Sequence, residues 1–399
     1  MGAVPQKKKI AIVMGPMVFG GSEKALIEML KVFDYERFDV TLFLKDGTGE
    51  MRDMLDQRVT VKYWPNITPK QALLENLRSL RLLRVANDLL CRVVCRLFLT
   101  TWQINGWFGA KCLPMIDDAH FDCAIAYHGT TPSVVVGALH RIHSTKKILW
   151  IHAYVICPEK YWRWFDKQYD KFHRICCVSS SMCEMFSHMF PSSGKKTAVF
   201  HNILDVAEVK AKSAVPLDEA ILPCSLVTVG RLSTEKGQDM IPAVARSLLD
   251  DGYDIHWYIV GEGYLREKIQ QRAREYHVED RVILLGSKEN PYPYIKNCDI
   301  YVQTSLLEGW GLTIQEAKIL GRPIVSTPLP AIKEQIRDGV TGLLAADTSP
   351  EAMYRRIKYL LDHPELRHRI VAELSSESYN CPKELQELYA FIEAPSAST

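Results

Sequence analysis

The residues best placed for chemistry stand in two short stretches. In EGWGLTIQE, Glu308 and Glu316 flank Gly309 and Gly311, directly after the apolar run CDIYVQTSLL. That order reads as a strand, a loop and a helix starting near Gly311 and Leu312, so the loop N–H groups of Gly309 to Leu312 point at an anion. An ionised glutamate only accepts hydrogen bonds, and its natural neutral partners are the paired hydroxyls of ribose and sugar rings. In GRLSTEKGQDM, Arg231 lies at the end of a strand and Lys236 in the loop before a helix that begins near Gln238. Two cations and two glycines at a helix N-terminus suit a diphosphate, because backbone N–H groups and the dipole favour anions and the side chains neutralise the remaining charge. Alone, the first stretch reads equally as a helix with acidic early turns and the second as a solvated basic loop. Together, acids for diols on either side of a cation-bound diphosphate describe a site for a nucleotide sugar.

Such residues need strand ends to hold them. Short runs rich in β-branched residues alternate with helical segments: KKIAIVM, FDVTLFL, FDCAIAYH, KKILWIH, RICCVSS and TAVFHNI in the first half, SLVTVGR, IHWYIVGEG, RVILLGS, CDIYVQT and RPIVSTP in the second. Each is nearly all apolar and is followed by Gly, Ser, His or Asn, as expected of parallel strands buried on both faces with functional loops at their carboxyl ends. The alternation predicts two doubly wound α/β domains. Their join is expected in the strand-free stretch from about residue 205 to 225, which gives domains over residues 1–210 and 211–377. Residues 378–399 form a terminal helix, with Pro382 in its first turn, that crosses back to the first domain, and a tail. Ligand is expected in a cleft between the carboxyl edges of the two sheets.

Composition bounds the rest. A chain of 399 residues is too long for one ordinary core. With 49 basic and 47 acidic side chains, the net charge of +2 gives no global field for nucleic acid. Eleven cysteines, odd in number and without metal-site spacing, read as buried thiols of a cytoplasmic protein, and no metal is expected. The N-terminal KKKIAIVMGPMVFGG mimics a secretory signal, but Gly15 and Pro16 break it and favour a buried strand and loop. No window holds 18 uninterrupted apolar residues.

Through GRLSTEKG (230–237), VGEG (260–263), EGWGLTIQEA (308–317) and GRPIVSTPLPAIKEQIRDGVTGLL, the sequence resembles retaining glycosyltransferases of family 4, which have the GT-B fold of two facing Rossmann-like domains with an interdomain cleft. In the first half GGSE (20–23), WIH (150–152) and HNILD (201–205) add to the likeness. The resemblance implies that Arg231 and Lys236, with Gly230, bind the donor diphosphate and stabilise the leaving group. It implies that Glu316 holds the nucleotide ribose, and that Glu308 holds hydroxyls of the transferred sugar and stabilises its cationic transition state. Backbone from Gly309 through Trp310 and Gly311 to Leu312 would meet the phosphates; Trp310 stands where the family often carries Phe or Tyr. Gly263 belongs to the glycine turn, and Gly286 and Ser287 to a segment expected near the base. Gly20 and Gly21 would let backbone approach the donor, and His152 would face sugar and acceptor. The NPYPY segment is similar to enzymes that build bacterial surface polysaccharides.

The implied reaction is metal-independent transfer of a sugar from a nucleoside-diphosphate sugar, such as a UDP-sugar, to a glycan or lipid-linked hydroxyl acceptor, with no cofactor beyond this co-substrate. A different reading is a catalytically silent GT-B scaffold that binds a partner transferase. His128 in AYHGTT, at a strand end, reads as a satisfied core histidine or a catalytic one, and the aromatic run from Tyr161 to Phe172 as packing or interface or as rings that stack on a sugar acceptor. In Lys70–Trp102, Arg78, Arg81, Arg92 and Arg96 fall on one helical side. That face is either solvated surface or a contact for anionic membrane, which would place the protein at the inner face of the cell membrane.

Overall fold

The computed structural model describes residues 6–18, 20–49, 51–64, 115–155, 158–217, 221–377 and 382–395. The Lys70–Trp102 segment with its arginine face lies outside the described residues. The chain forms two compact units, residues 1–201 with 382–399, and residues 202–381.

In the first unit seven parallel strands form one sheet in the order β3-β2-β1-β4-β5-β6-β7. They are β1 Lys8–Met14, β2 Phe38–Leu44, β3 Thr60–Tyr63, β4 Asp117–Ala126, β5 Ile142–Ile151, β6 Arg174–Cys177 and β7 Thr197–Val199. Ile10 to Met14 are fully buried, as a strand covered on both faces requires. Lys8 and Lys9 keep its start at the surface, where Lys8 Nζ pairs with Asp122 at 2.8 Å and Lys9 N–H donates to the same carboxylate. Strand order reverses between β1 and β4.

The second unit repeats the plan with six parallel strands in the order β10-β9-β8-β11-β12-β13. These are β8 Ser225–Val229, β9 His256–Val260, β10 Val282–Gly286, β11 Ile300–Gln303, β12 Ile324–Ser326 and β13 Leu343–Leu344. Here the order reverses between β8 and β11. Trp257 and Ile259 of β9 pack with Ile241, Val244 and Leu248 of the helix Ile241–Asp250 in a core reached also by Ile357 and Ile370.

Three features depart from the sequence reading. Strands β3 and β13 were not expected: β3 is an edge strand whose residues are largely exposed, and β13 spans two residues inside a stretch that reads as turn. The join falls at 201/202 rather than 210/211, because the supposed linker contains the helix Val206–Ser213, capped by Asp205, whose Oδ1 accepts the Glu208 N–H. That helix packs on the helices Tyr292–Asn297 and Leu312–Ile319, and Asn290 Nδ2 donates to the Lys212 carbonyl.

The last helix, Pro382–Glu393, belongs to the first unit. Tyr389 stacks on Phe38 and meets Phe33 edge-on, and its hydroxyl accepts the Asp34 N–H at 2.8 Å. Arg37 pairs with Glu393 at 2.6 Å. Buried Lys146 donates to the carbonyls of Phe391, Ile392 and Ala394, filling the acceptors that a helix C-terminus leaves open.

Candidate functional site

In the second unit the sequence-predicted residues gather at the carboxyl ends of β8 and β11, adjacent strands in the sheet. After β8 come Gly230, Arg231 and two short 3-10 turns, Thr234–Lys236 and Gln238–Met240. Gly237 between them has φ +64°, and a Cβ there would stand 2.3 Å from the Thr304 carbonyl oxygen, so only glycine fits. The same approach lets Thr304 Oγ1 donate to the Lys236 carbonyl at 2.8 Å, while the N–H groups of Leu306 and Leu307 donate to the Glu235 carbonyl. The two loops are thereby fastened along their backbones.

This brings Lys236 Nζ to 2.5 Å from Glu308 Oε2. The same carboxylate oxygen accepts from Ser305 Oγ at 3.1 Å and from Gln303 Nε2 at 3.4 Å. Gln303 is fixed in turn: its Nε2 donates to Ser305 Oγ, and its Oε1 accepts from the Tyr301 and Thr313 hydroxyls. Glu308 is thus held in one orientation by a buried polar network and compensated by one cation. The sequence reading assigned Lys236 and Glu308 to different parts of a ligand; the fold joins them directly.

Arg231 is exposed, and its carbonyl accepts from Gln238 Nε2 at 2.8 Å. Burial pushes the neighbouring Glu235 carboxyl up, yet backbone and Ser233 hydrogen bonds and the Arg231 and Lys236 charges hold it below the usual range. Gly263 passes under this loop, where a Cβ would stand 2.3 Å from the Leu232 carbonyl oxygen; Gly286 ends β10 and the exposed Ser287 follows it.

The helix Leu312–Ile319 begins after Gly311, and the turn before it is locked: Trp310 Nε1 donates to Gln315 Oε1 at 3.2 Å, and Gln335 Nε2 donates to the Trp310 carbonyl. Gly309, Trp310 and Leu312 are buried. Glu316 is fully buried, near enough to Tyr301 that its charge adds to the burial that raises that phenol. It is therefore not on the exposed rim that carries Arg231. The Gln303–Ser305–Thr313 network is absent from the sequence reading, although the polar QTS that ends the apolar run was its visible signal.

In the first unit Gly20 is extended and precedes the helix Gly21–Lys31, with Ser22 and buried Glu23 in its first turn. His152 follows β5. Its ring lies nearly parallel to Trp150, at 5° and 6.0 Å between centroids, and 4.4 Å from the Tyr127 ring. Both ring nitrogens are covered and find no hydrogen-bond partner among the described residues. Burial, with a smaller contribution from His128, holds the imidazolium well below its ordinary range, so His152 is neutral.

Among the described residues, no group of three or more His, Cys, Asp or Glu is placed to hold a metal ion, and no helix is long and apolar enough to cross a membrane.

Residues 208–374, within the second unit, match the family model described as "Glycosyl transferases group 1". An uncharacterized glycosyltransferase of Methanocaldococcus jannaschii is 26% identical over 235 residues, 54% of this chain and 58% of the relative. The N-acetylgalactosamine-N,N'-diacetylbacillosaminyl-diphospho-undecaprenol 4-alpha-N-acetylgalactosaminyltransferase of Campylobacter jejuni is 28% identical over 201 residues, 50% of this chain and 53% of the relative. The matches to these curated relatives thus span little more than half of their lengths. Among solved structures, HepE of Anabaena in complex with UDP and glucose superposes with a TM-score of 0.72 at 16% identity, covering 96% of this chain and 99% of that one. The chain has the two-domain α/β GT-B fold.

Proposed function

We propose that the chain is a retaining glycosyltransferase of family 4 that moves a sugar from a UDP-sugar to a hydroxyl of a glycan or lipid-linked saccharide in surface-polysaccharide synthesis. The observation that carries this reading is the meeting of the Arg231–Lys236 loop and Glu308 where the second sheet reverses its strand order, inside the stretch matched as a glycosyl transferases group 1 domain. Open α/β sheets bind ligands at that reversal. A relative named as a transferase onto an undecaprenol-diphosphate saccharide, and a structural neighbour solved with UDP and glucose, support the substrate classes.

In this reading Arg231, Lys236 and the N–H groups before the helix Leu312–Ile319 take the diphosphate and neutralise the charge that develops on it as the leaving group. Their charge replaces that of a metal ion. Glu308 holds hydroxyls of the transferred sugar and faces its cationic transition state. Glu316 serves the ribose, although its carboxylate is fully buried in this structure. The acceptor attacks from the face the diphosphate leaves, and a phosphate oxygen helps take its proton. The enzyme works in the cytoplasm, at the anionic inner face of the membrane when its acceptor is lipid-linked.

The test is a melting screen of UDP, GDP and their sugars, since a ligand of the folded state raises the melting temperature. UDP should raise it and GDP should not, and the matching UDP-sugar should be cleaved at a rate that EDTA leaves unchanged. If no nucleoside diphosphate shifts the transition and no sugar nucleotide is cleaved above background, the transferase reading is lost.

A further inference from the structure

The first sheet also reverses its order, between β1 and β4, and the loops after these strands bring together three polar side chains that the roles above leave unused. Ser22 Oγ donates to Glu23 Oε2 at 2.8 Å and lies 2.7 Å from His128 Nε2, while Glu23 Oε1 stands 3.6 Å from the same nitrogen. A hydroxyl has one proton. That of Ser22 is committed to Glu23, so at the 2.7 Å contact Ser22 can only accept and His128 Nε2 must donate. In the neutral imidazole the lone pair is then on Nδ1.

Nδ1 forms no hydrogen bond among the described residues, and the His128 side chain is 21% exposed. A Cβ on Gly15, the residue just past β1, would stand 3.9 Å from Nδ1, so this nitrogen faces the end of β1 at a position with no side chain.

We propose that His128 is a substrate-binding residue of the first unit, its Nδ1 aimed by the Ser22–Glu23 relay to accept a hydrogen bond from a hydroxyl of the sugar or polyol that receives the transferred group. This inference rests on the transferase reading above. The relay has the logic by which a carboxylate fixes the tautomer of a histidine, here with one hydroxyl interposed. The groups facing the ring are Glu23 from the helix Gly21–Lys31 and His152 from the loop after β5, at 6.4 Å between ring centroids. Burial holds the His128 imidazolium below its ordinary range against the pull of Glu23, which keeps the ring neutral.

The experiment uses the full chain with ¹⁵N-labelled histidine, a panel of UDP-sugars and a set of methyl glycosides as acceptor probes. His128→Gln can keep the donation to Ser22 through its amide while losing the acceptor at Nδ1. The variant should raise the methyl glycoside KM by about tenfold, the value of one hydrogen bond of about 1.4 kcal/mol, and leave the donor KM and UDP-induced melting shift at parental values. Nitrogen chemical shifts in the parent should place the proton of His128 on Nε2, and methyl glycoside should perturb Nδ1. An unchanged glycoside KM, or a proton found on Nδ1, overturns the proposal. If the parent cleaves no UDP-sugar the transferase reading fails instead. The Nδ1 resonance still decides the hydroxyl site, because saturating methyl glycoside that leaves it unmoved removes it.

Discussion

Lys236→Met keeps the aliphatic stem beside Gly230 and removes only the ammonium that compensates Glu308. Glu308 would be left with Ser305 and Gln303 as donors, its side chain 12% exposed. Losing one partner of a fully buried pair costs about 3–5 kcal/mol. Here Lys236 is 26% exposed, so the smaller range for a hydrogen bond to a charged group, about 1.5–3 kcal/mol, applies. Spread over a unit of this size, that lowers the melting temperature by roughly 3–12 °C. Adding Glu308→Gln removes the uncompensated charge while keeping an acceptor for Ser305, so the double variant should regain about 1 kcal/mol or more over Lys236→Met. Two units need not melt together, so the readout is calorimetry with hydrogen exchange of residues 303–308 to locate the weakened part. Sugar transfer should fall by about a hundredfold in Lys236→Met, the size of one preorganised electrostatic donor. If Lys236→Met melts with the parent, or the double variant is no more stable than the single, the ion pair is not what holds Glu308.

Three further outcomes are expected. Glu316→Gln should weaken UDP binding in calorimetry, and unchanged affinity would remove Glu316 from the ribose. Burial holds the imidazolium forms of His128 and His152 below the ordinary value of about 6.5, so the unfolded chain takes up these protons first; stability should be full above that pH and fall as pH drops from there towards the folded values, less steeply in His152→Gln melts. Lys146→Met leaves three carbonyls at the end of the helix Pro382–Glu393 without their donor, and hydrogen exchange of that helix should speed up while the amides of β9 stay protected.

What could be read in the sequence followed from local pattern. Runs such as IAIVM and the IYV of CDIYVQT are buried on both faces and pair in parallel because their side chains are apolar throughout, and alternation with helices then leaves few topologies. The loops at the strand ends were legible for the same reason, since Arg231, Lys236 and Glu308 interrupt apolar runs. The partners of these residues were not. Lys236 and Glu308 lie 72 residues apart, and their meeting depends on the approach of Gly237 to Thr304, which no local spacing encodes. Ser22 and His128, 106 residues apart, meet only because β1 and β4 are neighbours. The linker helix Val206–Ser213 has little amphipathic character, so its own sequence does not show that it packs on the second unit.

Each sheet thus delivers charged or polar groups to its point of reversal already committed to a partner from the adjacent strand's loop, as burial requires. For Lys236 this has an energetic consequence. An ammonium has three donors, so a phosphate oxygen can share it with Glu308, but two anions at one cation repel each other. Binding of a diphosphate therefore competes with the Lys236–Glu308 pair, and what it displaces is the carboxylate assigned to the transferred sugar. Glu308→Gln removes the competing charge while leaving Lys236 in place. It should bind UDP more tightly than the parent, by about tenfold if the relieved repulsion is near 1.4 kcal/mol, and yet lose transfer, because the neutral amide no longer stabilises a cationic sugar. Titration calorimetry with UDP on parent and variant decides it: weaker binding by Glu308→Gln would mean that the carboxylate orients Lys236 for the phosphate rather than contending with it.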